Sequence, residues 1–214
     1  RIGATGGKKP HLHVEGQPGR DIVDRDLPSA THPDAVKLAL DAIRERIPEP
    51  PAAVGHRVVH GGDEFTGPVA VTPEVLAKLE ALVPLAPLHQ PHNLAAMKTV
   101  GELLPGVPQV ACFDTAFHAT MPAEERTFAI PKRFRDAGVK RYGFHGLAYE
   151  SVLANLKSPP GKLLACHLGN GASLCGIVDG LSVATTMGFT PLDGLVMGTR
   201  PGHLDPGAVL YRER

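Results

Sequence analysis

Apolar periodicity becomes legible after residue 30. Pro33 suits the first position of a helix, and Val36, Leu40, Ile43 and Ile47 recur at i, i+4, i+7 and i+11, which predicts an amphipathic helix from Thr31 to about Pro48. Ala52 to His60 reads as a short buried strand stopped by Gly61-Gly62. Thr72-Pro73-Glu74 opens a second helix with Val75, Leu76, Leu79 and Val83 on one side. The prolines between Pro84 and Pro91 predict a loop, after which His92 or Asn93 starts a third helix that runs to Leu104. Gln109 to Phe113 is a strand that delivers Asp114 at its carboxyl end. Beyond Met121-Pro122 the pattern restarts. Lys132 to Ala137 and Leu147 to Leu156 read as helices, Leu163 to His167 as a buried strand, and Ser173 to Val178 and Leu181 to Thr186 as strands flanking Asp179-Gly180. That dipeptide favours a type I′ hairpin, because both turn residues need positive φ. Before residue 30 only Leu12, Val14 and Ile22 suggest short edge strands. The order of elements predicts an α/β fold.

Length and composition narrow the class. The chain has 214 residues, room for one large domain or two small ones, and the restart places a boundary near 118 to 122, giving domains 1–118 and 119–214. Its 24 Gly and 21 Pro raise the share of turn formers well above the roughly 12% of ordinary domains, so long ordered loops are expected. Twenty-two basic residues balance 22 acidic ones, which offers no basic footprint for nucleic acid or anionic lipid and turns attention to small-molecule chemistry. No apolar run is long enough for a membrane helix. Cys112, Cys166 and Cys175 form no spaced pattern and read as reduced core thiols of a cytoplasmic protein.

Several segments put polar residues where a packed fold seldom wants them, and each carries two readings. Arg57, inside Gly55-His56-Arg57-Val58-Val59-His60, is either a solvated edge-strand charge or a cation aimed into a cleft. His56 and His60 cannot share one metal ion from such a strand, being roughly 13 Å apart at ~3.3 Å per residue. His89 precedes a helix entry in which His92 or Asn93 suits the N-cap; it is either a surface or a site residue. Asp114 ends a buried strand, where open α/β sheets collect ligands but where Asp also serves turns. His167-Leu168-Gly169-Asn170-Gly171 is either a nest for phosphate oxygens or an ordinary hairpin turn. The Gly- and Pro-dense stretch from Met187 to Gly207 must be an irregular ordered loop, and it presents Arg200 near its tip. Neither a dinucleotide fingerprint, nor a P-loop, nor a Gly-x-Ser-x-Gly elbow is present. Two arginines, an aspartate, histidines and a Gly-rich turn suit phosphoryl transfer, where protein groups position reactants and stabilise charge.

Taken together, GHRVVHGG (55–62), PLAPLH (84–89), FDTAFH (113–118), RYGFHG (141–146), HLGNG (167–171) and TPLDGLVMGTR (190–200) resemble the acetate kinase family, grouped with actin, hexokinase and the heat-shock ATPases. The resemblance covers the chain from about residue 30 onward. It implies duplicated ribonuclease-H-like, actin-like ATPase domains, with one nearly complete and part of the second present here. It also implies reversible, Mg²⁺-dependent transfer of the γ-phosphoryl group of ATP to acetate, giving acetyl phosphate and ADP. Carried over by position, Arg57 and Arg200 bracket the acyl carboxylate and the moving phosphoryl, and Asp114 serves the metal and the in-line geometry. His145 and His167 contact phosphoryl oxygens, with His89 nearby; His167, Gly169, Asn170 and Gly171 hold nucleotide phosphate. Val59, Leu88, Phe144 and Pro191 match the apolar pocket for the substrate methyl group, and a homodimer is implied for the full-length protein.

The chain also departs from that pattern. Leu147-Ala148-Tyr149 stands where the family carries Thr-Ser-His, His203 replaces an acid after the MGTR phrase, and Asp63, Gln90 and Asp193 replace Glu, Asn and Glu. The turn from Leu156 to Gly161 is shorter than is usual. The family's opening strand with its Asn- and Ser-bearing turn is expected before Arg1, and its adenosine pocket after Arg214. Alternatives are a propionate or other short-chain carboxylate kinase, and a catalytically incompetent fragment of such an enzyme; a sugar- or metal-binding module ranks behind both. A pocket for one methyl group discriminates a further methylene by only ~1 to 3 kcal/mol.

Overall fold

The computed structural model describes residues 2–3, 11–15, 21–26 and 32–212. Strands β1 (Ile2–Gly3), β2 (His11–Glu15) and β3 (Asp21–Asp26) form an antiparallel meander, so the weak strand pattern before residue 30 is real. Helix α1 (His32–Arg44) follows. It ends earlier than the apolar stripe predicts, and its buried face carries Ala35 and Ala42, whereas Ile43 and Ile47 lie 46% and 58% exposed. The expected start at Thr31 falls outside the described residues.

A second sheet has the order β4 (Val54–Val58), β6 (Gln109–Phe113), β5 (Val69–Ala70), with β4 parallel and β5 antiparallel to β6. β4 is therefore an edge strand, and its burial alternates along the strand rather than being continuous as the sequence suggests. Helix α2 (Pro73–Ala81) is capped by Thr72, whose hydroxyl accepts from the Val75 amide at 3.2 Å. Helix α3 (Gln90–Leu103) begins two or three residues earlier than predicted, and the expected loop before it contains a 3-10 turn at Val83–Leu85. The physical reason is Pro91, which tolerates the first helical turn, where no backbone donor is needed. Val58, Leu79, Leu94, Met97, Ala111 and Phe113 pack α2 and α3 on this sheet, and the Phe65 and Phe113 rings stack at 5.1 Å.

Short helices α4 (Ala123–Arg126) and α5 (Lys132–Asp136) lead to α6 (Gly146–Asn155). A third, antiparallel sheet is ordered β7 (Lys162–Leu168), β8 (Ala172–Val178), β9 (Leu181–Thr185), followed after a long loop by α7 (Pro206–Arg212). Asp179 and Gly180 turn the β8–β9 hairpin with φ of 49° and 81°, the positive values a type I′ turn needs. α6 covers one face of this sheet through Tyr149, Ala165, Cys175 and Ile177, while Leu164 and Leu168 on the edge strand β7 lie open. Cys166 is likewise exposed, so only Cys175 of the three cysteines is fully in the core; all three are free thiols.

The second and third sheets are tied together by hydrogen bonds. His118, in a 3-10 turn at Ala116–Thr120, donates from Nε2 to the Phe144 carbonyl (2.9 Å), which leaves Nδ1 to accept from the Ser182 hydroxyl (2.8 Å). Burial lowers its pKa, in keeping with a neutral ring. Arg141 donates to the carbonyls of Thr185, Thr186 and Met187, and the Tyr142 and Gly143 amides reach Gly188. Val59, Ala86, Phe144, Met187 and Met197 form an apolar floor between the sheets. Among the described residues no helix is long and apolar enough to cross a membrane.

Candidate active site

Above that floor lies a cleft of about 330 Å³ lined by Arg57, Val59, His89, Asp114, Phe144, His145, His167, Asn170, Gly171, Pro191 and Arg200. Sheet register sets its first pair. Arg57 stands opposite Cys112 across the parallel β4–β6 ladder, and the ladder continues one step through the Asp114 amide to the Val58 carbonyl. Arg57 and Asp114 therefore share a face, and the guanidinium donates from Nε (3.0 Å) and Nη2 (2.7 Å) to the two carboxylate oxygens. Asp114 is buried, whereas the Arg57 side chain is 62% exposed toward the cleft. The Asp114 hydrogen bond raises the Arg57 pKa further. The solvated-charge and cleft readings of Arg57 thus merge: it is exposed, and into a cleft.

The start of α3 is held to the end of β4. Asn93 accepts the Val59 amide through Oδ1 (3.1 Å), and the buried Gln90 amide donates to the carbonyls of His60 (3.1 Å) and Leu79 (3.4 Å). The N-cap expected of His92 or Asn93 is instead His89, which makes no capping hydrogen bond through its side chain. His89 sits half-buried in the cleft, and its pKa is lowered by burial first and then by the charges of Arg200 and Arg57.

His145 enters from the other side in the left-handed region, with φ 63° and ψ 17°. A non-glycine residue holds that conformation only where its surroundings over-determine it. Here the Gly146 amide is bonded to the Asp114 carbonyl (2.8 Å) and the Phe144 carbonyl to His118. The His145 ring stacks on His167 at 4.1 Å, and its Nδ1 meets the Ser173 hydroxyl at 2.8 Å. Both contacts follow from one register, since His167 and Ser173 are cross-strand partners on β7 and β8. Burial, then the neighbouring His167, push the His145 pKa down to about 4.

Gly169-Asn170-Gly171 turns the β7–β8 hairpin, so the turn reading holds, and the turn also lies at the cleft: Asn170 and Gly171 line it and Gly169 does not. Arg200 closes a tight turn with Met197, each amide donating to the other's carbonyl, and Arg200 Nη1 donates to the Pro191 carbonyl (3.0 Å). Leu88 stands apart: 72% exposed, it lines an adjoining, more apolar cleft of about 480 Å³ that shares His89, Pro191 and Arg200. His56 is paired with Gln109 at 2.7 Å outside the cleft, and His60 is fully buried. His203 lies against Asp193 (3.5 Å), within its own loop. Sequence reasoning missed the work of Asn93, His118, Arg141 and Ser173, because each acts on a group far along the chain. No group of three potential metal ligands occurs among the described residues. Among the described residues, Asp114 is the only acid lining the cleft. A single carboxylate suits a hard cation such as Mg²⁺ only where phosphate oxygens and water complete the shell, which is its usual mode.

The fold and the cleft define a mixed α/β protein with a cationic, histidine-lined site at the carboxyl ends of β4 and β6. Its sequence matches the pattern described as the acetokinase family over residues 13–214, and the chain belongs to that family. It is 50% identical over 213 residues to an acetate kinase of Rhodopseudomonas palustris, covering 96% of this chain and 54% of that protein. An acetate kinase of Desulfitobacterium hafniense is 43% identical over 99% of this chain and 55% of its own length. The crystal structure of an acetate kinase from Entamoeba histolytica superposes with a TM-score of 0.82 at 38% identity, over 95% of this chain and 53% of that one. A propionate kinase from Francisella tularensis superposes with 0.83 at 36% identity, over 95% and 54%. The chain spans about half the length of these relatives.

Proposed function

We propose that the protein carrying this chain transfers the γ-phosphoryl group of ATP to acetate, reversibly, giving acetyl phosphate and ADP. The supporting observation is the convergence of Arg57, Arg200, Asp114, His145 and His167 on one cleft in a member of the acetokinase family. The nucleophile, a carboxylate oxygen, is already ionised at neutral pH, so no general base is required. What the reaction needs is alignment and stabilisation of charge on the equatorial oxygens. Arg57, oriented by Asp114, and Arg200, oriented by the Pro191 carbonyl, would supply two fixed cations at the ends of the reacting unit. His145, neutral at pH 7 with its pKa near 4, would act as a hydrogen-bond donor rather than a base, with His167 beside it.

Asn170 and the amides of the Gly169–Gly171 turn are proposed to hold nucleotide phosphate, and Val59, Phe144 and Pro191 to line the methyl site, with Leu88 at its outer rim. Asp114 would hold Mg²⁺, directly or through water. Bound there, the ion would neutralise phosphate charge. The three free thiols fit the cytoplasmic location expected from the sequence, and we expect a homodimer. The test is to trap acyl phosphate as hydroxamate with ATP, Mg²⁺ and acetate or propionate, using the longer protein that includes this chain. Hydroxamate formed with acetate supports the reading, and none with either acid overturns it. Turnover of propionate above acetate reassigns the substrate.

A further inference from the structure

Tyr149 and Ser173 form a buried pair whose chemistry the phosphoryl-transfer reading leaves unused. The Tyr149 hydroxyl lies 2.5 Å from Ser173 Oγ, and Ser173 Oγ lies 2.8 Å from His145 Nδ1. Tyr149 is 1% exposed and Ser173 is fully buried. Neither hydroxyl has another hydrogen-bond partner among the described residues. A buried hydroxyl hydrogen without an acceptor costs roughly 1–3 kcal/mol, so the three groups must share their hydrogens economically. If His145 Nδ1 carried the proton and gave it to Ser173, one hydroxyl hydrogen would be stranded: that of Tyr149 if Ser173 donates to it, or that of Ser173 if Tyr149 donates instead. In the opposite direction Tyr149 donates to Ser173, Ser173 donates to Nδ1, and nothing is left unpaired. Burial drives the Tyr149 pKa up to about 12, so its proton is always present to begin the chain.

We propose that Ser173, oriented by Tyr149, holds His145 in the neutral tautomer that carries its proton on Nε2, and that both are positioning residues for the site. That Nε2 is directed at the reacting region. A β-carbon placed on Gly171 would lie 2.9 Å from His145 Nε2 and 3.7 Å from Arg200 Nη1, so the imidazole N–H and the guanidinium flank the same point of the cleft. The smallness of Gly171 leaves that point open to a ligand oxygen. An Nδ1–H tautomer would present a lone pair there and repel an anionic oxygen, whereas the Nε2–H form donates to it. The donor's use on a phosphoryl oxygen rests on the proposed kinase activity; the tautomer itself does not.

The experiment is a two-bond ¹H–¹⁵N spectrum of the full protein labelled with ¹⁵N-histidine near neutral pH, with His145 assigned by His145→Gln. The wild-type protein should show a pyrrole-type Nε2 and a pyridine-type Nδ1 at His145. Ser173→Ala should admit the Nδ1–H form, and Tyr149→Phe should move the Nδ1 resonance part of the way in the same direction. The resonances of His118 and His60 should remain, as a record that the variants fold. In the kinetic arm, Tyr149→Phe should lower kcat roughly fivefold, the weight of one hydrogen bond, with KM for ATP and acetate changed by less than about twofold. A wild-type His145 protonated on Nδ1, or a Ser173→Ala protein that keeps the pure Nε2–H form, overturns the proposal. An Nδ1 resonance untouched by Tyr149→Phe removes Tyr149 from it. Should a variant fail to fold, the wild-type spectrum alone decides the tautomer. A correct tautomer in a protein without acyl phosphate formation would sink the kinase reading and leave this one standing.

Discussion

The Arg57 guanidinium grips both oxygens of a carboxylate that is almost wholly buried, Asp114, while its own outer face stays open to the cleft. The pair is therefore lopsided: the anion has lost its water and the cation has not. Removing the cation strands a buried charge, and removing the anion frees an arginine.

In the longer protein Arg57→Ala should lower kcat by ~10³-fold or more, the scale seen for arginines at transferring phosphoryl groups. It should also destabilise the fold by about 1–3 kcal/mol through the uncompensated carboxylate. Asp114→Asn should cost activity with a smaller loss of stability, since the amide can keep one hydrogen bond. Steady-state kinetics with thermal melts separates the two effects, and wild-type kcat in Arg57→Ala would refute its role.

Arg200 is held by one carbonyl and closes a turn of its own, so its removal should leave the core intact. Arg200→Ala is expected to lower kcat by ~10³-fold with a melting temperature close to that of the wild type. Arg200→Lys should recover little, because an ammonium cannot reproduce the planar fork. Activity within tenfold of wild type in either variant would contradict the assignment.

Gly143 combines φ 73° with close neighbours: a β-carbon there would lie 2.6 Å from Thr185 Cγ2 and 2.7 Å from His118 Cδ2. Gly143→Ala should therefore destabilise the protein by about 2–4 kcal/mol, from left-handed strain and from displacement of His118. Denaturant unfolding measures this, and a change below about 0.5 kcal/mol would show that the segment adapts.

Acid should weaken the fold through buried histidines. His60 accepts the Gly62 amide on Nδ1 and is fully buried, and burial lowers its pKa to about 4 from an ordinary 6.5. Between those values the unfolded chain takes up a proton that the folded chain refuses, so this stability is complete above about pH 6.5 and is lost as pH falls toward 4. His145 acts in the same sense. The melting temperature should fall between about pH 7 and pH 5, and His60→Gln, which keeps an acceptor without titrating, should flatten the slope. An unchanged slope in that variant would exclude His60 as a source.

Local chemistry was enough to read much of this protein from its residues. The Thr72 cap, the Asp179-Gly180 turn and the strand before Asp114 are each decided within a few residues by capping, positive φ and β-branched or aromatic content, and each stands where it was expected. The ordered phrases around Arg57, His89, Asp114, His145, Asn170 and Arg200 were likewise legible as candidate chemistry. Which polar groups answer one another was decided only by tertiary structure. Asn93 looked like a cap and instead holds Val59; His89 was balanced between surface and site; Leu88 faces a neighbouring cleft; Tyr149 read as a departure and forms a buried pair with Ser173. Ile43 and Ile47 continued an apolar stripe and yet lie 46% and 58% exposed. The division has a physical cause. Caps and turns satisfy backbone groups three or four residues away, whereas the partners of Asp114, Val59 and His145 lie 57, 34 and 28 residues away and meet only through sheet register and packing.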